Sequence, residues 1–201
     1  MVRLYDYLPS GNGYKVRLLL AQLEIPFERI ELDIIKSETR TPEFLSKFPN
    51  GRIPAVVLDD GCLLFESDAI MTYFADGTPF VPTDRYERAQ VLQWMFFEQY
   101  SHEPFIAVAR FFAIHPDYHD DRRTGLPRIM KGGYDALGVM EDHLKNREWF
   151  VGSRYSIADI ALYAYKHVAH EGGFDLAKYP AIRGWLDRVR SQPRHIQITQ
   201  E

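Results

Sequence analysis

A chain of 201 residues allows one or two domains at ~150 residues each. Its 46% hydrophobic and 26% charged content is ordinary globular usage and disfavours disordered, collagen-like and low-complexity classes. A formal charge of −4, from 24 Lys+Arg against 28 Asp+Glu, lacks the basic surplus of a general nucleic-acid binder, so no nucleic-acid partner is expected.

One cysteine, Cys62, cannot close an intramolecular disulfide or build a multi-cysteine metal site, which fits a reducing cytosol. MVRLYDYLPSG lacks the ~7–15-residue apolar run of a secretory signal, and no stretch approaches ~18 consecutive apolar residues. A soluble cytoplasmic protein with no membrane partner is the expectation.

In chain order, Leu4, Tyr5 and Tyr7 belong to a first strand, which LPSGNG closes with Pro, Gly and Asn turn chemistry. Val16, Leu19, Leu20 and Leu23 then recur at helical spacing and define one buried face. Phe27 to Leu32 reads as a second strand. Pro42 suits the first turn of a short helix, where its missing N–H has no intrahelical role. IPAVVL and CLLFE form an antiparallel hairpin about Asp59-Asp60-Gly61, and Ser67 is placed as the cap of the helix DAIMTYF. The order is βαβαββα.

Gly77, Pro79 and Pro82 interrupt both periodicities, so residues 77–84 read as a linker between a domain over 1–76 and an all-helical domain over 85–201. In the latter, Ile129, Ala136, Met140 and Leu144 share a face, as do Ile157, Ile160, Ala161 and Ala164, and Ile182, Trp185, Leu186 and Val189. Ser156-Ile157-Ala158-Asp159 has the form of a capping box, with Tyr155 and Ile160 placed for a hydrophobic staple. Pro180 fits the first helical position of the last segment.

Three features point to chemistry. Gly11-Asn12-Gly13 lies between a strand and a helix, where exposed N–H groups favour an anion. It lacks the third glycine of a dinucleotide fingerprint, the Gly-Lys-Ser/Thr of a P-loop and the elbow of a hydrolase serine, so a simple capped turn stays open beside an anion site. Ile53-Pro54 opens a strand, a place where a cis peptide costs only ~0.5–1 kcal/mol, and such a bond turns the backbone of Ile53 toward an extended ligand. Glu66-Ser67 forms a second strand-to-helix junction suited to a carboxylate. Two anion-friendly turns and a backbone edge suit a short anionic peptide.

At this point LYDYLPSGNGYKVRLLL, PNGRIPAVV, LLFESDAIMTYF and YSIADIALY, in that order, resemble the cytosolic glutathione S-transferases, either a serine-type class or the bacterial nu-like members. The resemblance implies a thioredoxin-like glutathione-binding domain with a mixed sheet, then an all-helical domain lining the pocket for a second substrate. It also implies glutathione as co-substrate with no metal, a homodimer and a role in detoxification. Carried over by position, Ser10 and Asn12 lie near the glutathione sulfur, Ile53 pairs its backbone with the cysteinyl unit, and Glu66 and Ser67 hold the γ-glutamyl end. Arg52, with Lys36 or Arg40, meets the glycyl carboxylate or lines the entrance. The implied activity is conjugation of the thiolate to a small hydrophobic electrophile, with glutathione-dependent disulfide reduction suggested by Asn12. The alternative is a non-catalytic binding or regulatory protein of the same fold.

Whatever the family, a thiol of ordinary pKa ~8.5 is only a few per cent ionised at pH 7, so a hydroxyl, an amide and a helix amino terminus beside it all favour the reactive anion. The other polar residues read more plainly. Cys62 is expected as a buried, inert thiol in an apolar strand. His115 and His119 read as loop, and His167 and His170 as helix surface or packing, rather than metal ligands. Glu98, His102 and Glu103 read as an ordinary polar helix face, and Asp117, Asp120, Asp121, Arg122 and Arg123 as an exposed loop. Among the aromatics of WMFFEQYSHEPFIAVARFF, Tyr100, Phe105 and Phe111 are candidates for the second-substrate pocket.

Overall fold

The computed structural model describes residues 1–200 and divides into two compact units, residues 1–78 with the segment from Pro193 onward, and Pro79–Gln192.

In the first unit, β1 (Val2–Asp6), β2 (Phe27–Glu31), β3 (Ala55–Val57) and β4 (Leu63–Phe65) form a mixed sheet in the order β2-β1-β3-β4. β1 and β2 run parallel, joined through helix α1 (Gly11–Gln22), whereas β1–β3 and β3–β4 are antiparallel. The expected hairpin is thus present. β3 is buried at all three positions, as befits a strand covered on both faces. On one face the rings of Phe44 and Phe48, from α2 (Pro42–Lys47) and its end, pack with Tyr5, Ala55 and Val57. Thr41 caps α2 by accepting the Phe44 N–H, and Pro42 takes the first turn as expected.

Strand alternation sends Val2, Leu4 and Asp6 to the other face, where all three are buried. α1 packs there with α3 (Ser67–Ala75). α1 is buried well beyond the Val16–Leu19–Leu20 stripe. Tyr14, Lys15, Arg17 and Gln22 are buried too. Lys15 Nζ meets Asp68 of α3 at 3.2 Å, and the remaining polar groups meet the segment 193–200. Tyr14 Oη donates to the Ile196 carbonyl at 2.8 Å, and Arg194 pairs with Glu24 at 2.6 Å. These bonds draw residues 193–200 to the sheet-containing unit instead of the helical domain in which the sequence reading put them. Beyond Val189 no helical stripe continues, and the buried donors on α1 need the acceptors this segment supplies.

The second unit holds α4 (Arg85–Phe97), a π-helical turn (Glu98–His102), α5 (Glu103–Ile114), α6 (Leu126–Leu144), α7 (Ile157–Lys166) and α8 (Pro180–Arg190). α7 is its axis, with every residue buried. The capping box forms in both directions at its start. The Asp159 carboxylate takes four donors: Phe150 N–H and Trp185 Nε1–H on Oδ1, and the Ser156 N–H and hydroxyl on Oδ2. The Tyr155 ring packs against Phe80 and Trp149.

Three expectations are corrected. Cys62 is exposed in the hairpin just before β4, where Asp60 Oδ1 accepts its N–H and its carbonyl accepts the Leu58 N–H at 2.9 Å. Glu98 and His102 are fully buried, since the π-helical turn rotates both inward. Ser67 lies inside α3 as its first residue, and the capping position falls to Glu66 in a left-handed conformation at φ 68°. Among the described residues no helix is long and apolar enough to cross a membrane.

Candidate active site

Sheet register gathers the three sequence features at one end of the sheet. Tyr5 pairs with Ala55, and Ala55 with Phe65. One step past each pair therefore stand Asp6 leading into the Ser10 turn, Pro54, and Glu66. The Ile53–Pro54 peptide is cis.

Ser10 is the N-cap of α1. Its N–H donates to the Tyr7 carbonyl at 2.7 Å, which closes the turn, and its Oγ accepts the Gly13 N–H at 3.2 Å. A hydroxyl oxygen that accepts still has its own proton to give. Ser10 and Asn12 are both half-buried at the amino end of a 12-residue helix, where partial positive charge favours an anion. Gly13 is required for close approach: a Cβ there would stand 1.6 Å from Asp6 Oδ1. Burial raises the Asp6 carboxyl to about 6 despite the Arg17 guanidinium beside it. Even so, Asp6 is largely ionised at neutral pH.

At the second junction Asn50 is the organiser. Its Nδ2 donates to Glu66 Oε1 at 3.0 Å, its Oδ1 accepts the Arg52 N–H at 3.3 Å, and its carbonyl accepts from Arg40 Nη1 at 3.3 Å. Asn50 thus brings Glu66, Arg52 and Arg40 together. Ser67 is buried next to Glu66 at the start of α3, while Arg52 and Glu66 are exposed. Lys36 is engaged elsewhere, with Asp33 at 3.1 Å on an exposed loop.

The aromatic candidates occupy three different settings in the helical unit. Tyr100 is 86% exposed on the π-helical turn. Phe105 lies across α6 so closely that a Cβ on Gly132 would sit 2.5 Å from its ring. Phe111 packs with Phe112, His115 and Tyr118. Of the histidines, His167 stacks on Tyr163 and contacts its carbonyl at 2.9 Å. Asp60 raises the Cys62 thiol above its ordinary range, away from thiolate character.

Residues 1–76 match the family model of the glutathione S-transferase N-terminal domain, and residues 103–193 match that of the C-terminal domain. The chain belongs to the glutathione S-transferase family. Among solved transferases, one from Pseudomonas fluorescens Pf-5 shares 50% identity and a TM-score of 0.95, with 99% of each chain covered. The disulfide-bond oxidoreductase YfcG of Escherichia coli K12 is 34% identical over 203 residues, covering 96% of this chain and 92% of that protein. The transferase URE2P8 of Phanerochaete chrysosporium, solved with oxidized glutathione, is 27% identical at a TM-score of 0.85, covering 96% and 90%. The thioredoxin-like domain and helical domain expected from the resemblance are those of this family.

Three features beside the two junctions are missing from the sequence expectations: Asn50, the Asp6–Arg17 pair and the Lys15–Asp68 pair. A signal existed for two of them. Asn50-Gly51 is a turn dipeptide directly before the cis-proline segment. Asp6 continues the Val2–Leu4 alternation onto the buried face, where a carboxylate needs a partner.

Proposed function

We propose that this transferase binds glutathione at the Ser10, Ile53 and Glu66 cluster, keeps its sulfur as thiolate, and conjugates it to small hydrophobic electrophiles. The observation that carries the reading is Ser10 Oγ, which accepts the Gly13 N–H and so leaves its hydroxyl proton for the sulfur. With the Asn12 side chain and the α1 amino terminus it forms a set of dipoles aimed at developing negative charge, the arrangement most effective at stabilising an anion. Ser10 donates throughout and makes no covalent bond. The thiol proton leaves to solvent, a sulfur–carbon bond forms, and the leaving group departs with its electron pair.

Binding follows from charge. The Glu66 carboxylate, held by Asn50, takes the γ-glutamyl ammonium, and Ser67 with the α3 amides takes its carboxylate. Ile53 offers its backbone to the cysteinyl unit. Arg52 and Arg40 meet the glycyl carboxylate, with Lys36 an outlying cation. Phe105 and Phe111 stay as candidates for the second-substrate surface.

Asn12 and the oxidoreductase name of a 34% identical relative favour a second activity, disulfide reduction. One glutathione thiolate attacks the disulfide and expels a substrate thiolate. A second glutathione then releases the other thiolate and leaves as glutathione disulfide.

A homodimer in the cytoplasm completes the reading. Each unit has an exposed apolar surface: Leu63, Phe65 and Tyr73 in the first, and Leu92, Phe96 and Tyr100 at four-residue spacing in the second. Where such side chains form one contiguous patch, they mark an interaction site.

Calorimetry with glutathione, followed by turnover of an activated aryl halide and of a small dialkyl disulfide, tests the whole. Micromolar to millimolar binding with turnover of either substrate is expected. Binding without turnover establishes the non-catalytic alternative, and absence of binding rejects both.

A further inference from the structure

The backbone of Leu8, two residues before Ser10, is gripped on both sides of its Cα by charged side chains. Its N–H donates to both Glu31 oxygens, at 3.1 and 3.2 Å, and Glu31 in turn pairs with Arg29. Its carbonyl accepts from Arg17 Nη2 at 2.8 Å. The same Nη2 donates to the Ile198 carbonyl at 3.0 Å, Nη1 donates to the Gln200 carbonyl at 3.0 Å, and Nε forms an ion pair with Asp6 Oδ2 at 2.8 Å. The Arg17 side chain is 1% exposed. A planar guanidinium with fixed N–H directions fits such a set in one orientation only. Pro9, whose ring locks φ, follows Leu8 and carries that orientation into Ser10 with little slack.

We propose that Arg17 is a positioning residue for the Ser10 turn, and that the segment 193–200 sets its position through the carbonyls of Ile198 and Gln200. This rests on the reading of Ser10 as the thiolate donor. The route has four links: the segment holds the guanidinium, the guanidinium holds the Leu8 carbonyl, Pro9 transmits the direction, and Ser10 Oγ is aimed at the sulfur. Donation to an anion depends steeply on placement, so a small shift of the turn costs thiolate without removing any group that touches glutathione. Ile198 is buried, which anchors its carbonyl.

The test uses Arg17→Lys, Ile198→Gly and removal of the chain from Gln197 onward, each alone and in a Ser10→Ala background. The readouts are the thiol pKa of bound glutathione by ultraviolet thiolate absorbance, the glutathione Kd, the pH profile of kcat/KM and the thermal midpoint. Each change is expected to raise the bound thiol pKa by about half to one unit, about 3- to 10-fold in thiolate at a pH well below that pKa, with Kd within about two-fold. Activity recovers at higher pH, where the thiolate forms unaided. In the Ser10→Ala background the same changes add nothing. A lower thermal midpoint with an unmoved thiol pKa overturns the proposal, as does a pKa change fully additive with Ser10→Ala. Ser10→Ala alone reports on the reading beneath: if it leaves the thiol pKa unmoved, Ser10 is not the donor, whatever the other variants do.

Discussion

Ser10 Oγ accepts the Gly13 N–H at 3.2 Å and so caps α1, and in the proposed site the same side chain also donates to the thiolate. The two roles separate by substitution. Ser10→Ala removes both, and costs about 1 kcal/mol of stability as well as the thiolate donor. Ser10→Asp keeps a good cap but sets a negative charge where the sulfur must ionise. We expect Ser10→Asp to unfold near the wild-type midpoint while raising the bound thiol pKa more than Ser10→Ala does. If the two variants match in thiol pKa, the site does not act through this hydroxyl.

Asn50 ties Glu66 to the arginine side of the site through bonds of 3.0 and 3.3 Å. Asn50→Ala frees the Glu66 carboxylate to rotate and takes away the acceptor for the Arg52 N–H. A loss of about 1–2 kcal/mol is expected, about a 5- to 30-fold weaker glutathione Kd, with kcat at saturation near wild type. The opposite pattern, an unchanged Kd with a lower kcat, would place Asn50 in the chemical step.

Local patterns made the frame legible. The Asp59-Asp60-Gly61 turn and the Ser156–Asp159 box are each written within a few residues and each is present, and of the Val16, Leu19, Leu20 and Leu23 stripe the first three are buried while Leu23 is the half-buried cap residue that ends α1. The misses are all relations between distant segments. Lys15 and Arg17 are cations inside an apolar helix, and their burial is intelligible only with Asp68 and with the carbonyls of Ile198 and Gln200, 53 to 183 residues away. On a regular 3.6-residue period Glu98 and His102 read as a polar face, and a π-helical turn breaks that period. Cys62 sat in an apolar run, but the Asx-type bond from Asp60 sets the strand boundary one residue later.

Lys166, the last residue of α7, is fully buried, with Nζ lacking a hydrogen-bond partner. A helix carboxyl end favours a cation by ~0.3–1 kcal/mol, far less than the cost of desolvating an ammonium, so burial drives the amine well below its usual range. The native state therefore holds it neutral while the unfolded chain protonates it, and this penalty grows as pH falls from about 10. Lys166→Met is expected to stabilise by about 1–3 kcal/mol near pH 7, with the gain shrinking toward pH 10. Urea midpoints across that range check it. A destabilised variant would mean that the amine has a structural partner.

Leu92, Phe96 and Tyr100 are 42, 67 and 86% exposed at four-residue spacing. Phe96→Glu puts a charge at the centre of this stripe. If the stripe is the contact between two copies, sedimentation should give a dimer for the wild type and a monomer for Phe96→Glu, with the latter's helical content intact. A wild-type monomer removes the stripe from any homodimer.

Asp159 accepts four hydrogen bonds, yet burial outweighs them and lifts its carboxyl to about 6. The unfolded chain releases this proton near 3.8 and the native state near 6. Its contribution to stability is therefore full below about pH 4 and is lost as pH rises through about 6. Asp159→Asn cannot titrate, and its amide offers one acceptor oxygen to the four donors, so it is less stable throughout. The gap between wild type and variant should widen on going from about pH 7 to about pH 4, by about 3 kcal/mol at most. Asp6, also raised to about 6, has the same sign in both proteins and cancels in the difference. Urea unfolding of the two proteins at matched pH measures the gap. A gap that stays constant, or narrows on acidification, would show that the four donors hold Asp159 ionised in the native state.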